Sequence, residues 1–403
     1  MENEFELKCR SLKLNDKRLT AWLDCCPTNA EQLSLLCRSI AGNIYLQQLE
    51  IRIQSHLTWY HFESIKTYLS SSQLSTLAIR QDRPSLSFFC QLTGIQNVTA
   101  LSTFKWICKI NDSSDCNVGI IPFCGLLFCF CNLEKLILKA PQALFSMKEL
   151  GAAVQKYAYK LNHLHIQGAS LTCDEMNALT GAGFFNSNSS VRTLKFIECR
   201  VSTPAMEIFC NAWPLHYNIQ ELYLCDNCIR PRGAKCLLNA LLLRKTVKTL
   251  DISGNVHIGY DMLASFGREL PILQLTNLRM RRCVQTFEET WVSMRDTVRY
   301  EQQTLKRKTK ASTDLLQGAR LSRKTLRIDI AGNGFDKMVV ERVNFYTGIN
   351  YFTQQNLLKI QPALFPHIMA RIQERKTARP QSLIFAFLQM DPNTILVHKH
   401  KIT

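Results

Sequence analysis

Three features of this 403-residue sequence could do chemistry: a Cys-x-x-Cys pair, a His-x-His pair and one dense basic stretch. Cys225 and Cys228 have half the spacing of a zinc site. A second pair must complete it, and Cys199, Cys210 and Cys236 do not form one, so structural thiols are expected. His163 and His165, two apart on a strand, would share one face. No carboxylate or third histidine accompanies them in a neighbouring repeat, which favours solvated surface residues over metal ligands. Cys124, Cys129 and Cys131 sit in the longest apolar run, 118–131, where thiols behave as small hydrophobes. That run is shorter than the ~20 residues a membrane-spanning helix needs. Cys25 and Cys26 are adjacent, without a redox spacing. The motifs G-x-S-x-G, H-E-x-x-H, G-x-x-x-x-G-K-[ST] and G-x-G-x-x-G are absent. Neither catalysis nor a metal or cofactor is expected.

The basic stretch is the strongest charge signal. Residues 279–327 hold thirteen Lys/Arg against five Asp/Glu, which is +8 of the chain's net +17. Lys306-Arg307-Lys308-Thr309-Lys310 has the composition of a nuclear-import tract. Such charge attracts acidic proteins, nucleic acid or anionic membrane surfaces, or only keeps a flexible loop solvated. Stacking aromatics are nearly missing, with Tyr300 alone among the cations, and this weighs against nucleic acid. Seventeen cysteines, an odd number, and an N-terminus (MENEFELKCR) with no apolar core point to a reducing, intracellular setting, cytoplasmic or nuclear.

An apolar fraction of 46% excludes bulk disorder, and its arrangement is periodic. Apolar triplets at positions 1, 4 and 6 of a frame occur at Leu46/Leu49/Ile51, Leu74/Leu77/Ile79, Leu101/Phe104/Trp106 and Leu133/Leu136/Leu138. They continue at Leu161/Leu164/Ile166, Val191/Leu194/Phe196, Ile219/Leu222/Leu224, Val247/Leu250/Ile252 and Leu275/Leu278/Met280, in steps of 27 to 32 residues. Position 9 is Cys199, Asn227, Asn255 and Cys283 in four successive units. There an Asn or Cys side chain can satisfy backbone groups as the chain turns off a strand. Positions 4 and 6 point inward, and 3, 5 and 7 outward. The remainder of each unit holds a return helix. One lies in 203–217, with Thr203 as cap and a stripe of Ala205, Ile208, Phe209 and Ala212. Another starts at Pro231 and buries Ala234, Leu237, Leu238 and Leu241.

This pattern resembles the ribonuclease-inhibitor-like leucine-rich repeat proteins. The resemblance covers 46–285 and is strongest over 161–283. It implies an α/β fold, a leucine-rich repeat solenoid (horseshoe) with parallel strands on the concave face and helices outside. Frames before 161 have Gln54, Asp82, Lys109 and Pro141 at position 9, which leaves their register open. The expected organisation is an N-terminal cap (1–45), the repeats (46–285), a basic polar insertion (286–320), and a last strand with a helical cap (321–403). Within the insertion, 296–318 is expected to be mobile and dispensable. In the last segment Ile328, Ile330 and Asn333 restart the frame. Tyr346, Ile349, Asn350, Phe365, Pro366, Arg371, Leu388 and Pro392 are similar to the C-terminal region of leucine-rich repeat proteins of diatoms and related algae.

Horseshoe proteins hold partners on the strand face, so the outward residues of the five clear frames are the expected site. Among them His163, His165, Lys195, Tyr223, Asp251, Arg279 and Arg281 combine an aromatic anchor with cations, the composition of a protein-binding hot spot. Asp251 could pair with Arg279 and weaken it. The expected function is a non-enzymatic interaction scaffold with an acidic protein partner. Alternatives are a small-GTPase regulator, as some proteins of this repeat class are, and a nucleic-acid or anionic-surface binder through 279–327.

Overall fold

The computed structural model describes residues 4–354 apart from 42, 54–72, 82–97, 109–129, 131, 140–149, 153, 155, 157–159, 182–189, 214–217, 286–293 and 323. The chain divides into two units, Met1–Ile258 and Gly259–Thr403.

The first unit is a repeat solenoid built on a parallel sheet. Its strands are β1 (Ala21–Cys25), β2 (Gln48–Ile53), β3 (Thr76–Gln81), β4 (Thr103–Cys108), β5 (Lys135–Lys139), β6 (His163–Gln167), β7 (Thr193–Ile197), β8 (Glu221–Tyr223) and β9 (Thr249–Asp251). Each pairs in parallel with the next in chain order. The pairing register is the repeat frame: Leu49 lies beside Leu77, which lies beside Phe104, and the row continues through Leu136, Leu164, Leu194, Leu222 and Leu250. The early frames are therefore in register despite their missing Asn or Cys. None of the twenty-seven triplet side chains is more than 5% exposed. Strand β1, within the segment expected to cap the array, adds one further strand by burying Trp22 and Cys25. Its pairing with β2 shifts register between those two residues.

Helices α1 (Glu4–Lys13), α2 (Ala30–Ile40), α3 (Cys173–Gly181), α4 (Thr203–Ala212) and α5 (Pro231–Leu243) are described in this unit. In α4 the cap is Ser202 rather than Thr203: its side chain accepts the Ala205 N–H. The buried face also differs from the expected stripe: Ala205, Met206, Phe209 and Cys210 are buried, while Ile208 and Ala212 are only partly covered. Phe209 joins Phe196 of β7 to Trp213, with ring centroids 6.3 and 5.6 Å apart, so strand and helix share one core. In α5 the expected stripe of Ala234, Leu237, Leu238 and Leu241 is buried.

The turns explain why Asn recurs. Asn227 Oδ1 accepts the Cys199 and Val201 N–H groups, and its Nδ2 donates to Phe196 and Cys225 carbonyls. Asn255 repeats the arrangement one unit on, accepting from Ile229 and donating to Leu224 and Ile252. Each Asn thereby satisfies buried backbone groups of its own turn and the preceding one. The residue before it is left-handed: φ is +52° at Asp226 and +79° at Gly254.

The second unit contains β10 (Asn277–Arg279) and β11 (Arg327–Asp329), paired in parallel, with α6 (Tyr260–Glu269), α7 (Met294–Leu321) and α8 (Lys337–Gln354). Asn333 serves the β10–β11 turn as Asn227 serves its own, accepting from Cys283 and Val284 and donating to Met280 and Ile330. The expectation of a mobile loop over 296–318 is corrected here, because α7 is one 28-residue helix. Ala311, Leu315 and Ala319, spaced at four, are fully buried on it. A Cβ on Gly318 would lie 1.8 Å from the Gly267 carbonyl oxygen. The two glycines thus let α6 and α7 cross with their backbones in contact. Small buried residues carry little hydropathy, and the polar majority hid them. On α8, Asn350 donates to the Ala319 and Thr325 carbonyls. Phe365, Pro366, Arg371, Leu388 and Pro392 lie outside the described residues.

Candidate functional site

The expected site residues fall into two groups. His163, His165, Lys195, Tyr223 and Asp251 stand on β6–β9 of the first unit, and Arg279 and Arg281 belong to the second. The register places His163 in one row with Thr193 and Glu221, and His165 in one row with Lys195, Tyr223 and Asp251, in that strand order. These are the outward residues of the strands, at about 4.8 Å per strand step.

Within the first group, the Lys195 ammonium lies 4.2 Å from the centroid of the Tyr223 ring. The Tyr223 hydroxyl is 3.4 Å from Glu221 Oε2 and donates to it. Asp251 is nearly buried, 7% exposed, and its Oδ1 accepts the Ser253 N–H at 3.0 Å, so it acts in the turn after β9. In the second unit Arg281 Nε is 3.7 Å from Asp329 Oδ2, a partner that lies beyond the repeats from which the face was compiled.

The same register adds residues that the sequence reading missed. Lys105 and Ile107 of β4, and Lys135, Ile137 and Lys139 of β5, are outward positions on the two strands before β6, and Ile197 of β7, read from its frame, completes the set on the other side. Ile137 sits beside His165 on one side, with Lys195 on the other. Lys135 is beside His163, and Lys139 beside Gln167. No carboxylate occurs among the strand residues of β4–β7. On both sides acids return: Glu50 of β2 pairs with Arg80 of β3, and Glu221 of β8 accepts from Thr193 and Tyr223. Glu198, just after β7, accepts from Gln167. The missed lysines were legible at positions 3, 5 and 7, but only in frames whose register the turn residues did not mark.

Electrostatics follow from this crowding. Burial, and then the ammoniums of Lys135 and Lys195, hold His163 down to about 4. Burial, then Lys195 and Lys139, do the same to His165, also about 4. Both imidazoles are neutral at pH 7. His165 Nε2 is shielded from solvent and makes no hydrogen bond among the described residues.

Other candidates offer less. Cys225 is half-buried and its Sγ contacts the Asp251 carbonyl, while Cys228 is exposed. Burial pushes the Cys9 thiol up to about 11 and Cys37 to about 12, so they are not thiolates at neutral pH. Cys199 also rises, to about 12, and donates to the Ile166 and Ile197 carbonyls in a structural role. Among the described residues no group of three or more His, Cys, Asp or Glu is arranged to hold a metal ion. No described helix is long and apolar enough to cross a membrane. Cys124, Cys129 and Cys131 lie outside the described residues.

Comparison with known proteins adds little. No family profile matches this chain, and no curated protein matches it. Among solved structures, a Bacteroides fragilis protein is similar at 13% identity, over 63% of this chain and 73% of that one, with a TM-score of 0.40.

Proposed function

We propose that this protein is a non-enzymatic interaction scaffold of the leucine-rich repeat, ribonuclease-inhibitor-like kind, and that its strand face binds an acidic partner. The observation carrying the reading is the outward face of β4–β7. It holds Lys105, Lys135, Lys139 and Lys195 with no strand carboxylate among them. A row of cations on a rigid sheet raises the local concentration of anionic partners and steers their approach. Tyr223, held beneath Lys195, supplies the aromatic anchor at the edge of that row. The position-9 ladder and the 27–32-residue spacing support the repeat assignment. Buried, free thiols fit a reducing, intracellular compartment.

Basic residues of 279–327 support the nucleic-acid or anionic-surface alternative less well. Arg281 pairs with Asp329, Arg307 with Asp261 and Lys308 with Asp336. Nothing described favours the GTPase-regulator alternative over a scaffold.

The test is binding of a fluorescent Glu-rich peptide followed by anisotropy at low and high salt. Lys135→Glu with Lys195→Glu should weaken it at low salt by about tenfold or more, the equivalent of ~1.4 kcal/mol. Unchanged affinity in that variant rejects the strand face as the docking surface.

A further inference from the structure

The centre of the face differs from its surroundings in three ways. First, no carboxylate stands among the cations on its strands. Around His165 stand Lys135 and Lys139 on β5, His163 and Gln167 on its own strand, and Thr193, Lys195 and Ile197 on β7. The carboxylates that bound this area are Glu134, exposed just before Lys135, Glu198, engaged with Gln167, and Glu221, engaged with Thr193 and Tyr223. Second, His165 keeps a buried ring nitrogen without a hydrogen-bond partner among the described residues. An unused buried polar atom costs stability unless water or a ligand satisfies it. Third, the neighbours on the same rows are apolar: Ile137 beside His165, Ile107 beside Lys139, and Ile197 beside Gln167, each half-buried.

We infer that His165 with Lys135, Lys139 and Lys195 forms a seat for a phosphoryl group presented on an apolar segment of a partner protein. This rests on the strand-face reading above and narrows it. A glutamate-rich surface would spread single charges along the face and gain nothing from the isoleucines. One dianion meets several ammoniums at a single point, and lysine binds phosphate as a point charge. The apolar atoms around the dianion then cover Ile107, Ile137 and Ile197 and remove them from water. A seated dianion also reverses the field at the two histidines. The lysines that now disfavour a proton on them would be neutralised, so the imidazoles take up protons as the phosphoryl group binds.

The experiment uses the full chain with isotope-labelled histidine, followed by NMR during titration with inorganic phosphate, phenyl phosphate or acetate at constant ionic strength. His257, exposed after β9, is the internal control. The expected result is movement of the His165 and His163 signals well beyond that of His257, with both titration midpoints rising from about 4 when phosphate is saturating. Phenyl phosphate should bind several-fold more tightly than phosphate, and phosphate more tightly than acetate. Lys135→Ala with Lys195→Ala, which leaves buried positions untouched, should weaken phosphate at least about fivefold. His165 moving no more than His257 overturns the seat. Acetate matching phosphate overturns its phosphoryl character, and phenyl phosphate matching inorganic phosphate overturns the apolar flank. A silent His165 with loss of the Glu-rich peptide in the charge-reversed variant removes the seat but leaves the strand-face reading. A responsive His165 with unchanged peptide binding does the reverse.

Discussion

The two units carry positive charge in opposite ways. The 279–327 stretch has the highest density of cations in the sequence, yet the fold brings carboxylates to several of them: Asp329 to Arg281, Asp261 to Arg307 and Asp336 to Lys308. The β4–β7 face of the first unit has fewer cations, and no strand carboxylate stands among them. Field strength at a surface depends on what the fold sets beside each charge, and counting along the chain does not reveal it.

The comparison concerns surfaces, so the cores should behave alike, and this gives the largest expected effect. Leu222, on β8, and Leu315, on α7, are both fully buried. Truncation of either to Ala should cost about 2–5 kcal/mol in denaturant unfolding. A negligible cost at Leu315 would return 296–318 to the status of a dispensable loop. It would also predict early tryptic cleavage at 306–310, which the helix resists.

Charge reversal sharpens the contrast itself. Lys135→Glu with Lys195→Glu should abolish most Glu-rich peptide binding, whereas Lys306→Glu with Lys310→Glu should alter it by less than about threefold, as exposed helix charges do. The opposite ranking would make α7 the functional surface and favour its nucleic-acid or anionic-surface alternative.

The smallest effect is a pH dependence confined to the first unit. His163 and His165 have folded values near 4, below the 6.5 of an unconstrained histidine. Between these limits the unfolded chain binds more protons than the folded one, so stability rises with pH there. The contribution is complete above about 6.5 and is lost as pH falls towards 4. His163→Gln with His165→Gln should flatten thermal stability across that window. An identical slope in wild type and variant would mean that neither burial nor the lysines hold these histidines below their ordinary value.

Much of this fold is visible in the sequence. The triplets marked every buried strand position they were asked to mark, because a period-two strand inside a fixed repeat leaves no freedom to slip: a one-residue shift would expose Leu and bury Lys. Asn227 and Asn255 were legible for the same reason, since few side chains can bond a bent backbone on two sides. The α4 cap was misplaced by one residue because Ser202 and Thr203 are both competent caps, and only the packing of Met206 and Cys210 separates them. α7 was missed because its buried face is two alanines and one leucine, with glycines at the crossing, too little apolar signal among so many charges.

The site was legible only in part. The outward positions of His163, His165, Lys195 and Tyr223 were read from their frames, and the strands pair so that His165, Lys195 and Tyr223 share one row and His163 stands in another. Lys105, Lys135 and Lys139 were passed over because the turn residues of their frames are atypical. What the sequence by itself determined is the strand register, the inward and outward sets and the total charge, all consequences of short-range periodicity. What only the tertiary structure decided is which charges have partners. Asp329 is 48 residues from Arg281, and Asp261 is 46 from Arg307, yet each lies beside its arginine. No spacing rule reaches that far, because the distance between such groups is set by helix crossings and strand pairing rather than by the chain between them.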